Sequence, residues 1–228
     1  MCAQLFDRGD PMPVLLITRP EAAAGRLARD LAGLGLPTII APLMRIDPVP
    51  HNAAALDRAA GLVFTSENGV AFAGTGGGRP AICVGPRTAL AAEAAGFEAR
   101  TGPGDAAGLM PMLQDLGPGW LHVRGAHVAA DLGLASVVVY DQTALPLTAV
   151  AAQALAGDAP VILPLFSPRS ARLAAAAVAG ARAPLWLAPI SIAADAAFDG
   201  PAARRVVAAT PDAPGVVAAV EALCTALA

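Results

Sequence analysis

The stretch "LVFTSENGVAF", Leu62 to Phe72, decides the fold. Leu62, Val63 and Phe64 form an apolar run that stops at Thr65-Ser66-Glu67-Asn68-Gly69, after which a helical apolar rhythm begins. A short apolar run reads as a buried strand, and Ser, Thr and Asn straight after it are the residues that cap a helix. "LPLFSPRSARL", Leu163 to Leu173, repeats the arrangement. Both stretches predict a strand that turns directly into a helix.

Working outward, Val14 to Thr18 is another apolar run, followed by Arg19-Pro20-Glu21. Leu27, Leu31 and Leu34 then stand at i, i+4 and i+7, which predicts an amphipathic helix ended by Gly35. Thr38 to Ala41 reads as the next strand. Strand readings follow at Ala81 to Val84, Phe97 to Arg100, Trp120 to Val123 and Ser136 to Tyr140. Gly85-Pro86-Arg87-Thr88 and Arg124-Gly125 read as turns, the second leading into a short helix of about two turns. Pro164 inside "VILPL" predicts an edge strand or a bulge, because proline cannot donate to a ladder. "GTGGGRP", Gly74 to Pro80, lacks the strand-then-helix setting of a phosphate cradle and reads as a linker.

The chain repeats itself. Leu165 to Ser170 matches Phe64 to Gly69, Ala188 to Ser191 matches Gly85 to Thr88, and Asp212 to Val216 matches Asp105 to Leu109. Two similar α/β domains follow. "PLMRIDPVP" and "YDQTALPLT" are proline-punctuated connectors, so one domain is inserted in the other. The expected boundaries are 12–42 plus 149–228 for the discontinuous domain and 51–139 for the inserted one. Residues 43–50 and 140–148 are the connectors, and 1–11 read as a flexible extension before "MPVLLITRPE".

Composition narrows the function. The 228 residues are 56% hydrophobic with mean hydropathy +0.58, yet no stretch reaches the roughly 18 unbroken apolar residues of a membrane span. A net charge of −3 offers no nucleic-acid footprint. Cys2, Cys83 and Cys224 are scattered thiols that fit a reducing cytoplasm. All 15 basic residues are arginine, which excludes a lysine Schiff base and a Walker A loop. His122 and His127 have no acidic partner at ligand spacing and read as solvated or core histidines.

In parallel α/β sheets, ligands bind at the carboxyl ends of strands beside helix N-termini. Thr65, Ser66, Asn68, Thr88, Ser167, Arg169, Ser191, Arg19 and Arg124 all fall at such ends. Each Ser, Thr and Asn has an alternative reading as a plain helix cap. Together they predict a cleft for an anionic, multidentate small molecule, since helix N-termini and arginine forks both take carboxylates. Tyr140, the single tyrosine, ends a strand near that expected cleft.

With these pieces in serial order the chain resembles the uroporphyrinogen-III synthase family. The resembling residues are "LLITRPE", "LVFTSENGVAF", "ICVGPRTALAAEAAGFEA", "VVVYDQT", "LFSPRSARL" and "APIS". The resemblance implies two flavodoxin-like (Rossmann-like) parallel-sheet domains joined by a two-stranded connector. It also implies cyclisation of the linear tetrapyrrole hydroxymethylbilane, an octacarboxylate, with inversion of ring D. No cofactor or metal is implied. Tyr140 maps to the family's tyrosine, an acid that assists hydroxide loss, and Thr65, Ser66, Thr88, Ser167 and Ser191 map to its polar turns. A cytoplasmic monomer is expected, with no nucleic-acid or membrane partner. The unit after Arg124 departs from the pattern, with 13 residues to Val137 against 20 from Arg19 to Ile39. A non-catalytic two-lobed sensor of an anionic ligand is the alternative. A sugar-phosphate or nucleotide transferase is a third reading, without an acidic metal-binding motif to support it.

Overall fold

The structure, a computed structural model, describes residues 11–128 and 130–225. The extension expected over 1–11 lies, apart from Pro11, outside the described residues, as does Cys2. In chain order the elements are β1 (Val14–Ile17), α1 (Glu21–Asp30), β2 (Thr38–Ile40), β3 (Met44–Pro48), α2 (Ala53–Asp57), β4 (Gly61–Phe64) and α3 (Glu67–Ala71). Next come β5 (Pro80–Cys83), α4 (Pro86–Ala94), β6 (Glu98–Thr101), α5 (Ala106–Leu113), β7 (Trp120–Gly125) and β8 (Ser136–Ala144). The last are α6 (Ala149–Leu155), β9 (Val161–Leu165), α7 (Pro168–Ala177), β10 (Leu185–Pro189), α8 (Ile192–Ala196), β11 (Arg204–Arg205) and α9 (Ala213–Thr225).

These elements form two α/β units. One is Ile46–Thr143, and the other combines the chain up to Arg45 with the chain from Ala144. The outer unit carries a five-stranded sheet in the order β2-β1-β9-β10-β11, with every pair parallel. Numbered within the unit this is 2-1-3-4-5, the flavodoxin order. The inserted unit runs β6-β5-β4-β7-β8 with all pairs parallel, and β3 lies beyond β8. That order, 3-2-1-4-5, is the Rossmann one. The chain passes between the units along β3 and β8. The Leu145 amide donates to Leu43 and the Val49 amide donates to Val139, so these segments run in opposite directions.

Continuous apolar strands follow from burial on both faces. In the outer unit Leu16, Leu163 and Leu187 pack with α6 and α7, while Leu15, Ile17, Ile162 and Trp186 pack with α1 and α9. In the inserted unit Leu62, Phe64, Val123 and Val139 face α2, α3 and α4. Val63 and Ile82 face α5 through Leu109 and Leu113, with Leu132 beside them. Alanine lines the helices because a small side chain lets each lie close on the sheet.

The sequence repeats are repeated caps. Asp105 Oδ1 accepts the Gly108 amide at 2.7 Å to open α5, and Asp212 Oδ1 accepts the Gly215 amide at 2.8 Å to open α9. Gly69 explains why the opening motif needs a glycine: a Cβ there would stand 2.9 Å from the Val123 carbonyl oxygen. Gly69→Ala must push α3 off β7, and it is expected to cost about 1–3 kcal/mol, read by urea denaturation.

Several expectations are corrected. Pro86-Arg87-Thr88 is the first turn of α4 rather than a preceding turn, since proline is at home at N1. Arg124 and Gly125 lie within β7 rather than in a turn. The short helix expected after Arg124 is absent among the described residues of 126–135, which cross to β8 through bends alone. Pro164 is neither at an edge nor at a bulge, because β9 lies between β1 and β10. The register shows how it is tolerated. Val161 donates to Pro184 and Leu165 accepts from Ile190, so odd-numbered residues of β9 bond towards β10. Pro164 therefore faces β1, where pairing has already ended at Leu15 and Ile162.

Candidate functional site

Strand order ranks the candidate residues. In doubly wound sheets the crevice lies where the order reverses. In the outer unit that point is between β1 and β9, and in the inserted unit it is between β4 and β7. Arg19 follows β1, and Ser167 and Arg169 follow β9. Thr65, Ser66 and Asn68 follow β4, and Arg124 closes β7. Thr88 and Ser191 follow β5 and β10, one strand further out in each sheet.

At the outer unit's reversal, the Arg19 guanidinium lies 3.6 Å above the centre of the Phe166 ring. A cation over a ring face is attracted by the ring quadrupole, and stacking leaves the planar edge for in-plane hydrogen bonds. Ser167 opens α7 with a capping box: its Oγ accepts the Ser170 amide at 3.0 Å, and Ser170 Oγ accepts the Ser167 amide at 2.9 Å. Arg169 is half-buried in the first turn of the same helix. Ser167→Ala should cost about 1 kcal/mol through the lost cap, measured as a shift in the unfolding midpoint. Ser191 caps α8 in the same way, accepting the Ala194 amide at 3.2 Å.

The inserted unit's reversal is built around two buried polar side chains on opposite faces of the sheet. Tyr140 is 4% exposed and lies in the layer formed with Phe64, Val70 and Val139. Val139 and Tyr140 are consecutive yet face the same layer. A register shift between Arg124 and Gly125 breaks the alternation, so that Arg124 pairs with Val138 but Gly125 with Tyr140. Bulges re-aim side chains in this manner. The phenol then reaches hydrogen bonds with the Ser66 side chain, the Gly125 backbone and the Asn68 side chain. Burial pushes the phenol's pKa up, and those three hydrogen bonds pull against it. Tyr140 therefore stays protonated at neutral pH. Ser66 also accepts the Asn68 amide at 3.2 Å, capping α3.

Thr65 turns the other way, as alternation along an extended chain requires. Its Oγ1 lies 3.0 Å from His122 Nε2. His122 pairs with Val63 on β4 and is 3% exposed, a core histidine that the sequence reading set aside. Burial, reinforced by Arg124 and opposed by Asp131, lowers its pKa to about 4. The ring is neutral in the folded chain near neutral pH, while an unfolded histidine titrates near 6.5. Stability from this group is complete above pH 6.5 and is lost as pH falls towards 4, by about 3 kcal/mol. Urea midpoints between pH 7 and 4.5 should show that fall, and His122→Gln should flatten it.

Arg124 is engaged with the protein. Its Nε donates to Ser136 Oγ at 3.0 Å and its Nη1 to the Gly125 carbonyl at 3.1 Å. Thr88 is 5% exposed within α4. Among the described residues no group of three or more His, Cys, Asp or Glu is placed to hold a metal ion. Among them, too, no helix is long and apolar enough to cross a membrane.

Two doubly wound parallel sheets with capped turns at their reversal points, and in the inserted unit a protonated tyrosine beside that point, define a protein of the nested Rossmann-like class. The family model for uroporphyrinogen-III synthase HemD matches residues 25–218. The chain belongs to the uroporphyrinogen-III synthase family. A uroporphyrinogen-III synthase of Chlorobaculum parvum (strain DSM 263 / NCIMB 8327) is 40% identical over 62 residues, which is 27% of this chain and 25% of that protein. The match thus spans a quarter of that curated relative's length. The fold is similar to the crystal structure of uroporphyrinogen-III synthetase from Helicobacter pylori 26695, with TM-score 0.63 and 15% identity over 93% of this chain and 100% of that one. It is also similar to a mutant uroporphyrinogen III synthase from the extremely thermophilic bacterium Thermus thermophilus, with TM-score 0.53 and 11% identity over 94% and 98% of the two chains.

Proposed function

We propose that this chain cyclises hydroxymethylbilane to uroporphyrinogen III, inverting ring D. The observation that supports this reading is the Tyr140 phenol, kept protonated by burial and held by Ser66, Asn68 and Gly125 beside the inserted unit's strand-order reversal. Tyr140 gives its proton to the substrate's terminal hydroxyl. The carbon–oxygen bond breaks, water leaves, and the pyrrole nitrogen's electrons generate an azafulvene. Its exocyclic carbon is attacked by the substituted carbon of ring D, forming a spirocycle. The older bond from ring D to its methylene bridge then breaks, and that methylene rejoins ring D at the opposite carbon. The proton lost as the pyrrole regains aromaticity balances the one Tyr140 supplied, so the net change is loss of one water.

Arg19, Thr65, Ser66, Asn68, Thr88, Arg124, Ser167, Arg169 and Ser191 are the proposed contacts for the substrate's eight carboxylates. Helix N-termini and arginine forks favour such anions. Much of the acceleration comes from holding the substrate in the geometry that beats spontaneous closure without inversion. The working form is proposed to be a cytoplasmic monomer that needs no cofactor.

Isomer analysis tests the reaction. Purified protein is added to fresh hydroxymethylbilane and the products are oxidised to porphyrins. Type III in excess over type I is expected, with and without a chelator. Type I alone, at the spontaneous rate, is the outcome of the sensor reading and overturns the proposal. Arg169→Ala is expected to raise KM several-fold with little change in Tm. An unaltered KM removes Arg169 from the site.

A further inference from the structure

The dipeptide Thr65-Ser66 serves two different buried groups. Ser66 belongs to the Tyr140 set on the α3 face, while Thr65 meets His122 on the α5 face. The mechanism above uses Tyr140 and leaves His122 without a task. Yet His122 is one of few buried polar side chains among the described residues, and its ring reaches the Thr65 hydroxyl on its own face at the end of β4.

Proton inventory allows that contact two directions. A neutral imidazole has one N–H and one lone pair. If Nε2 carries the lone pair, it consumes the Thr65 hydrogen, and only oxygen lone pairs face the end of β4. Those repel a carboxylate. If Nε2 carries the hydrogen, it donates to Thr65 Oγ1, and the Thr65 hydrogen is turned away from the core as a donor. Burying the imidazole also holds its rotamer, so the hydroxyl is oriented before any ligand arrives.

We propose that His122 is a positioning residue, protonated at Nε2, that makes the Thr65 hydroxyl a fixed hydrogen-bond donor to a carboxylate at the strand-order reversal of the inserted unit. The identity of that carboxylate, a side arm of the tetrapyrrole, rests on the reaction proposed above. The assignment of the hydrogen rests on a carboxylate being bound there, whatever molecule carries it.

Two measurements test it. Nitrogen-15 NMR of histidine-labelled full chain near neutral pH reads the tautomer, and His122 is assigned among His51, His122 and His127 by its loss in His122→Gln. A hydrogen on Nε2 is expected, and a hydrogen on Nδ1 overturns the proposal even in an active enzyme. The second measurement is the Kd for uroporphyrin I, a stable octacarboxylate, together with KM and kcat where turnover is seen. His122→Phe and Thr65→Val should each weaken binding about tenfold, the scale of one hydrogen bond to a charged group, with kcat nearly kept. His122→Gln, whose amide places an N–H near the position of Nε2, should recover most of the loss. In the double variant His122→Phe/Thr65→Val the two losses should not multiply. Multiplying losses, or a failed rescue by glutamine in a folded variant, overturn the assignment. If the wild type binds uroporphyrin and shows the Nε2 hydrogen and the coupling but makes no type III product, the proposed reaction falls and the role of His122 stands.

Discussion

Tyr140→Phe is expected to lower kcat about tenfold or more while leaving the fold intact. General acid catalysis contributes typically 10²–10⁴-fold where it dominates, and here substrate positioning survives the substitution. The ring is kept and still fills its place beside Phe72, 6.2 Å away between ring centres. Only the hydroxyl goes, which leaves Ser66, Asn68 and Gly125 one partner short and costs on the order of 1 kcal/mol. A folded variant with unchanged kcat would remove Tyr140 from the chemistry. A rise in KM without a change in kcat would assign it to binding alone.

Gly125→Ala should do comparable damage from the other side. A Cβ on Gly125 would stand 2.5 Å from Tyr140 Cε2, 2.7 Å from Cζ and 3.0 Å from the hydroxyl oxygen. Ring and strand cannot both stay. The phenol is displaced from Ser66 and Asn68, so kcat falls at least as far as in Tyr140→Phe, and overpacking costs about 1–3 kcal/mol. The two losses in kcat share one cause. Gly125→Ala placed in the Tyr140→Phe background should lower stability again but leave kcat close to that of Tyr140→Phe. A further large drop in kcat would mean that Gly125 acts on the substrate by a route other than Tyr140.

What lies within a few residues of chain was legible in the amino-acid sequence. "LVF" before "TSENG" announces strand then helix, because apolar runs need burial on both faces and Ser66 must satisfy an amide of the following turn. Ser167, Ser191, Asp105 and Asp212 are caps for the same local reason. The insertion was legible too, since the motifs repeat on either side of the two proline-punctuated connectors.

Contacts across the sheets were not legible. A strand followed by glycine suggests a turn at Arg124 and a helix after it, whereas Arg124 lies inside β7 and no helix occurs among the described residues of 126–135. The general rule for proline suggests an edge or a bulge at Pro164, and nothing in the neighbouring residues shows that the ladder towards β1 ends two residues earlier. No local signal marks His122, which meets Thr65 from 57 residues away through the register of β4 on β7. Nor does one show that a bulge turns the Tyr140 ring towards Ser66 and Asn68, or that Gly125 makes room for it. Capping and periodicity are written in neighbouring residues. Strand order and register come only from which sheets bury the most apolar surface once every strand is paired, and it is that global packing that carries His122 to Thr65 and Tyr140 to Ser66.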